Sequence, residues 1–91
     1  MDFSKALEYL KNGYRVTNKN WNGKGMYVTT MPGYEEGVPA NTNTSVAHNV
    51  SPGTLVKVRP YLAMKDAQGM IAPWTPSQLD LFSDNWVMHK E

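Results

Sequence analysis

Cysteine is absent from the 91 residues. That excludes a disulfide framework, a thiolate metal site and a cysteine nucleophile, and it suits a reducing compartment. An excess of one charge is lacking too. Nine basic and eight acidic side chains leave a formal +1, which argues against a protein that holds polyanions by bulk charge. Histidine is scarce: His48 and His89 lie far apart and fit no compact metal motif. No run approaches the ~20 apolar residues that cross a bilayer. The opening Met1-Asp2-Phe3-Ser4-Lys5 has an early acid and no apolar core, so no signal peptide is expected. The length suits one domain over residues 1–91, burying roughly 60–70% of its unfolded surface around a thin core.

What is present is an unusual share of aromatic and methionine side chains. Phe3, Ala6, Leu7 and Leu10 recur at i, i+3, i+4 and i+7 and predict a helix, with Asp2 as N-cap and Gly13 as its left-handed stop. Tyr14–Thr17 and Met26–Met31 alternate as strands, and the turn-rich residues 18–25 between them carry Trp21, so a hairpin is expected. Residues 32–54 show no useful period and are expected to form a long loop, either a binding lid or an oligomer-contact arm. Leu55–Lys65 alternates as a strand but is interrupted by Pro60, which implies an edge, a bulge or a break in two. Asp66-Ala67-Gln68-Gly69 predicts a hairpin turn into Met70–Ala72. Thr75 as N-cap, Pro76 in first helical position and Gln78 three residues on predict a second, short helix. Trp86–Met88 closes the chain as a strand. The expected class is α+β: a small, mostly antiparallel sheet with an N-terminal helix and a short C-terminal helix.

Catalytic patterns find little support. A Ser–His–acid arrangement has only His48 as a plausible base, since His89 sits near the chain end. Asp80 and Asp84 read as solvated charge or capping rather than a catalytic pair. Gly23-Lys24-Gly25 lacks the Ser or Thr of a phosphate loop, although it permits close approach of an anion with Lys24 as a point charge. The basic excess does gather around Trp21: residues 1–31 carry five bases and two acids, a balance of +3. For Trp21, base stacking and core packing are both open; stacking would contribute roughly 1–3 kcal/mol per base. For Phe3 the choice is ligand contact or core, with core favoured, and Trp86 in its apolar run reads as core.

Two stretches carry a resemblance. Phe3–Gly13 followed by Trp21-Asn22-Gly23-Lys24-Gly25-Met26 resembles the start of the second family of phage Thoeris anti-defence proteins, formerly a small domain of unknown function. Pro60-Tyr61-Leu62-Ala63-Met64-Lys65, Gly69 and Pro73-Trp74-Thr75-Pro76-Ser77-Gln78, with Asp80, Asp84 and Trp86, resemble its second half. Residues 32–53 match no pattern.

The resemblance implies a sponge: a protein that binds a cyclic ADP-ribose isomer (glycocyclic ADP-ribose) made by an immune TIR enzyme, holds it uncleaved and keeps the Thoeris effector off. It implies no cofactor and no metal, a homotetramer of dimer pairs with sites between protomers, and action in the cytoplasm of the infected host. Some members also bind cyclic oligonucleotides. The matching positions imply that Trp21 stacks on adenine, that Asn22, Gly23, Lys24 and Gly25 lie against ribose or phosphate, and that Phe3 packs nearby. Trp74, Ser77, Gln78 and Asp84 follow as motif positions. No membrane or polymeric nucleic acid is expected as a partner. The competing readings are a single-stranded nucleic-acid module and a structural oligomeric phage protein.

Overall fold

The structure is a computed structural model, and residues 1–90 are described. Helix α1 spans Phe3–Lys11. The Asp2 carboxylate accepts from the Lys5 backbone N–H at 2.8 Å, which satisfies one of the unpaired amides of the first turn. Gly13 ends the helix at φ +87°, a conformation that L side chains rarely adopt. The predicted stripe is the buried one: Ala6 and Leu10 are sealed, and Phe3 and Leu7 are half-buried beside them.

The main sheet has five antiparallel strands. They are β1 (Val16–Asn18), β2 (Tyr27–Met31), β5 (Tyr61–Lys65), β6 (Ile71–Pro73) and β7 (Trp86–Met88), in the order β6-β5-β2-β1-β7. The two predicted hairpins form: β1 pairs β2 with Val16 opposite Val28, and β5 pairs β6 with Met64 opposite Ala72. Gly69 turns the second hairpin at φ +85°. Val16, Val28 and Trp86 project from one face onto Ala6 and Leu10 and make the sealed core. Thr30 donates its hydroxyl to the Leu10 carbonyl at 2.8 Å, a second bond on an oxygen that also accepts from Gly13 N–H, and so ties β2 to the last turn of α1. Pro73 lies in the edge strand β6, where a residue without an N–H weakens any further strand addition.

The expected long loop at 32–54 is a correction. It contains strand β3 (Tyr34–Pro39) and helix α2 (Thr42–His48), and β3 pairs with β4 (Leu55–Val58) as a separate two-stranded sheet. The helix was invisible to periodicity because Thr42-Asn43-Thr44-Ser45 is polar; its N-terminus is set instead by Asn41, whose side chain accepts from Thr44 N–H at 2.9 Å. The register shifts between Tyr34 and Val38, around Gly37 at φ +100°, which blurs the strand's alternation. Pro60 breaks the 55–65 run into β4 and β5, which belong to different sheets.

The second correction concerns α3. It spans Gln78–Phe82 with Ser77, not Thr75, as N-cap. The capping box joins Ser77 to Asp80 rather than Thr75 to Gln78. Trp74 N–H still donates to the Leu62 carbonyl at 2.9 Å, so the chain stays in the ladder past β6 and turns helical later. Among the described residues no helix is long and apolar enough to cross a membrane.

Candidate functional site

Trp86 is fully buried and sits at the centre of a ring cluster. Trp21 meets it edge to face at 5.2 Å, Phe3 lies 5.4 Å away and Trp74 6.0 Å away. Trp74 also lies 6.2 Å from Phe3 and 6.3 Å from Trp21. Such tilted pairs contribute about 0.5–1.5 kcal/mol each beyond burial of area. In this chain the core therefore extends outward as aromatic rings, and Phe3, Trp21 and Trp74 are its half-buried members.

Asp80 holds this cluster to α3. Its Oδ1 accepts from the Trp21 indole N–H at 3.3 Å, and its backbone carbonyl accepts from the Trp86 indole N–H at 2.9 Å. Its Oδ2 accepts from Ser77 N–H at 2.9 Å, while Asp80 N–H donates to the Ser77 hydroxyl at 3.1 Å. One buried and one half-buried indole thus find their acceptors on one residue of a five-residue helix.

Beside Trp21 opens a cleft of about 630 Å³, within the ~300–1,000 Å³ range of small-molecule sites. One wall comes from β1 and its exit, through Asn18, Asn20 and Trp21. The other comes from α3 and the turn after it, through Ser77, Asp80, Ser83, Asp84 and Asn85. Asn18 is buried and paired at both ends of its amide: its Nδ2 donates to the Ser83 hydroxyl at 3.0 Å and its Oδ1 accepts from Asn20 N–H at 2.9 Å. Asn85 Nδ2 donates to Asn20 Oδ1 at 3.3 Å and joins the two walls. Leu79 and Phe82 stand at the rim, 85% and 82% exposed, because α3 buries none of its residues. A smaller depression of about 280 Å³ on the β3–β4 sheet is lined by Glu35, Lys57, Val58 and Arg59 and holds no ring. Among the described residues no three His, Asp or Glu side chains gather as a metal site.

The residues singled out from sequence separate into three groups. Trp21, Ser77 and Asp84 line the cleft. Phe3 and Trp74 lie behind it in the ring cluster, and Gln78 begins α3 without lining the cleft. Asn22 and the Gly23-Lys24-Gly25 turn do not line it either. That turn leans on the β5–β6 hairpin: a Cβ on Gly23 would come within 2.7 Å of the Ala67 Cβ, and Lys65 Nζ donates to the Gly25 carbonyl at 3.3 Å. Gly23 thus has a packing reason, Gly25 a conformational one at φ +73°, and Lys24 is exposed. The amide wall of Asn18, Asn20 and Asn85 was missed from sequence. Asn18 carried a signal, since an Asn at a core-facing strand position must find buried partners.

The fold and cleft define a small α+β protein with an aromatic-backed, polar-walled recess of ligand size. A sequence model of the Thoeris anti-defense 2-like domain matches residues 1–89, and the chain belongs to that family. It is also similar to Thoeris anti-defense 2 of Bacillus phage SP01, with 29% identity over 92 residues, covering 94% of this chain and 91% of the relative.

Proposed function

We propose that this protein acts for a phage against Thoeris defence by sequestering a cyclic ADP-ribose-type signal without degrading it, working in the cytoplasm of the infected host. Family membership and the similarity to the SP01 protein support the anti-defence role. The observation that carries the binding reading is Trp21 itself. Its ring is packed edge to face on Trp86, tethered to Asp80, and still borders a cleft with Asn18 and Asn20 beside it and Asn85 on the facing wall. An aromatic ring held in place beside hydrogen-bonding groups is a preorganised base platform, and preorganisation is what tight retention requires. Phe3 and Trp74 support the platform from behind; Ser77 and Asp84 lie where they reach ligand hydroxyls. Self-association as a tetramer of dimer pairs suits the exposed Leu79 and Phe82 at the rim.

Calorimetry with purified protein and cyclic ADP-ribose isomers tests the reading. Heat of binding followed by recovery of intact ligand from the heated complex is the expected result. Absence of heat with every isomer at micromolar protein, or recovery of a cleaved product, overturns it.

A further inference from the structure

Two asparagine–glycine pairs occur in the chain, Asn12-Gly13 and Asn22-Gly23, and both asparagines are exposed. Such a pair is prone to close on itself, because glycine has no Cβ to keep its peptide nitrogen away from the preceding side chain. The fold treats the two pairs differently. Asn12 is the C-cap of α1; its Nδ2 donates to the Glu8 carbonyl at 2.9 Å, and Gly13 N–H donates to the Leu10 carbonyl at 3.1 Å. A ψ of 11° at Asn12 also turns the Gly13 nitrogen toward the Asn12 backbone nitrogen and away from the side chain. Asn22 has no such restraint. Among the described residues its side chain has no hydrogen-bond partner, and Gly23 N–H has no acceptor. The pair lies in the connection between β1 and β2, outside any helix or strand.

We propose that Asn22 is a self-modification site, where the folded chain converts an amide to a carboxylate without an enzyme while Asn12 is preserved. The Gly23 peptide nitrogen gives its proton to solvent base and attacks Cγ of Asn22. A C–N bond forms, the Cγ–Nδ2 bond breaks, and the side-chain nitrogen leaves as ammonia with a proton from water. Water then opens the cyclic imide at one of its two carbonyls, so the net change consumes water and releases ammonia. Opening at Cγ leaves an ordinary aspartyl residue. Opening at the main-chain carbonyl routes the chain through Cβ and Cγ, an isoaspartyl linkage one carbon longer. The same closure at Asn12 must first break two hydrogen bonds, which slows it by roughly tenfold or more.

The product gains its importance from its position between Trp21 and Gly23. Gly23 has no slack toward the β5–β6 hairpin, since its Cβ direction meets the Ala67 Cβ at 2.7 Å. The longer linkage is therefore taken up at Trp21, at the expense of its bond to Asp80. The new carboxylate also cancels the formal +1 of the chain.

Ageing the whole chain at mildly alkaline pH and physiological temperature, followed by peptide mapping in a mass spectrometer, tests the proposal. Asn22 is expected to acquire the mass of the acid, and to become a substrate for an isoaspartyl methyltransferase, about tenfold or more ahead of Asn12. In urea-unfolded chain the two rates are expected to converge, because both asparagines precede glycine. The converted fraction is expected to unfold at lower urea than fresh protein. Asn22→Gln, aged in parallel, is expected to keep its midpoint, because the larger ring of a glutamine closes far more slowly. Comparable rates in the folded chain overturn the proposal, as does conversion at Asn12 first. A rate ratio that persists in the unfolded chain overturns it too, since the fold would not be its source. An unchanged midpoint in the converted fraction overturns the link to the Trp21 tether. No arm of the experiment measures signal binding, so sequestration stands or falls separately.

Discussion

The indole N–H of Trp21 donates to the Asp80 carboxylate at 3.3 Å across 59 residues of chain. This bond links the β1–β2 connection to α3, a helix with no buried residue of its own. The carboxylate also closes the capping box with Ser77. Asp80→Ala is therefore expected to lower stability by about 1–2 kcal/mol, combining a lost cap with a lost indole acceptor. Asp80→Asn retains one acceptor and is expected to cost about half as much. Urea denaturation followed by tryptophan fluorescence measures both; equal stability of wild type and Asp80→Ala would show that α3 is held by other means.

Replacing Trp21 separates its ring from its N–H. Trp21→Phe keeps a stacking face but cannot reach Asp80, and is expected to lose about 1 kcal/mol of stability. Trp21→Ala also removes the edge-to-face contact with Trp86, for a loss of about 2–4 kcal/mol. Affinity for a cyclic ADP-ribose isomer should fall modestly in Trp21→Phe, and by roughly 5- to 150-fold in Trp21→Ala, the equivalent of one lost base stack of about 1–3 kcal/mol. Calorimetry on the two variants measures the difference. Equal affinities would remove stacking from the account.

Gly23 distinguishes a packing glycine from a phosphate cradle. A Cβ there meets the Met26 sulfur at 2.5 Å, which can swing aside, and the Ala67 Cβ at 2.7 Å, which cannot. Gly23→Ala is expected to destabilise by about 1–3 kcal/mol as overpacking. Ala67→Gly in the same chain should restore part of that loss, and ligand affinity should stay unchanged. A collapse of affinity in a folded Gly23→Ala protein would return the turn to the binding site.

Gly33 marks the neck between the main sheet and the β3–β4 arm. A Cβ there would fall 2.5 Å from the Val58 carbonyl oxygen and 2.7 Å from the Pro60 nitrogen, both backbone atoms of the returning chain. Gly33→Ala must push the two crossing segments apart, and about 1–3 kcal/mol is the expected cost. The molecule extends 45 Å along its long axis and 26 Å along the others, so a reoriented arm should alter the small-angle scattering profile. An unaltered profile and an unaltered denaturation midpoint would show that the neck yields freely.

Much of the scaffold was legible before any coordinates. The stripe Phe3–Ala6–Leu7–Leu10 marked both the helix and its buried face, because a 3.6-residue period leaves that geometry little alternative. Gly13, Gly69 and Pro60 punctuated the chain as their backbone chemistry requires. The arm was illegible for the same reason. Helix α2 opens on four polar residues with no apolar stripe, and β3 is irregular around Gly37, so neither projects a period. For α3 the sequence pattern placed the cap at Thr75, whereas the structure caps at Ser77. The ladder bond from Trp74 to Leu62, a contact distant in sequence, keeps the chain extended beyond β6.

The site divides along the same line. Sequence pointed first to Trp21 and the Gly23–Gly25 turn with Lys24, and second to Ser77 and Asp84; Trp21, Ser77 and Asp84 share one cleft, and the turn lies elsewhere. Motif spacing shows that residues belong together in a family pattern, but it does not distinguish a wall from a buttress. The sequence by itself determined the absence of thiol chemistry, the near-neutral charge, the amphipathic first helix and the two hairpins, since each follows from composition or from contacts between near neighbours. Tertiary structure alone decided that Trp21 is tethered to Asp80 and that Asn18, Asn20 and Asn85 make an amide wall. Those relationships join residues roughly sixty positions apart, and only the packing of α3 against the outgoing rings brings them within hydrogen-bonding distance.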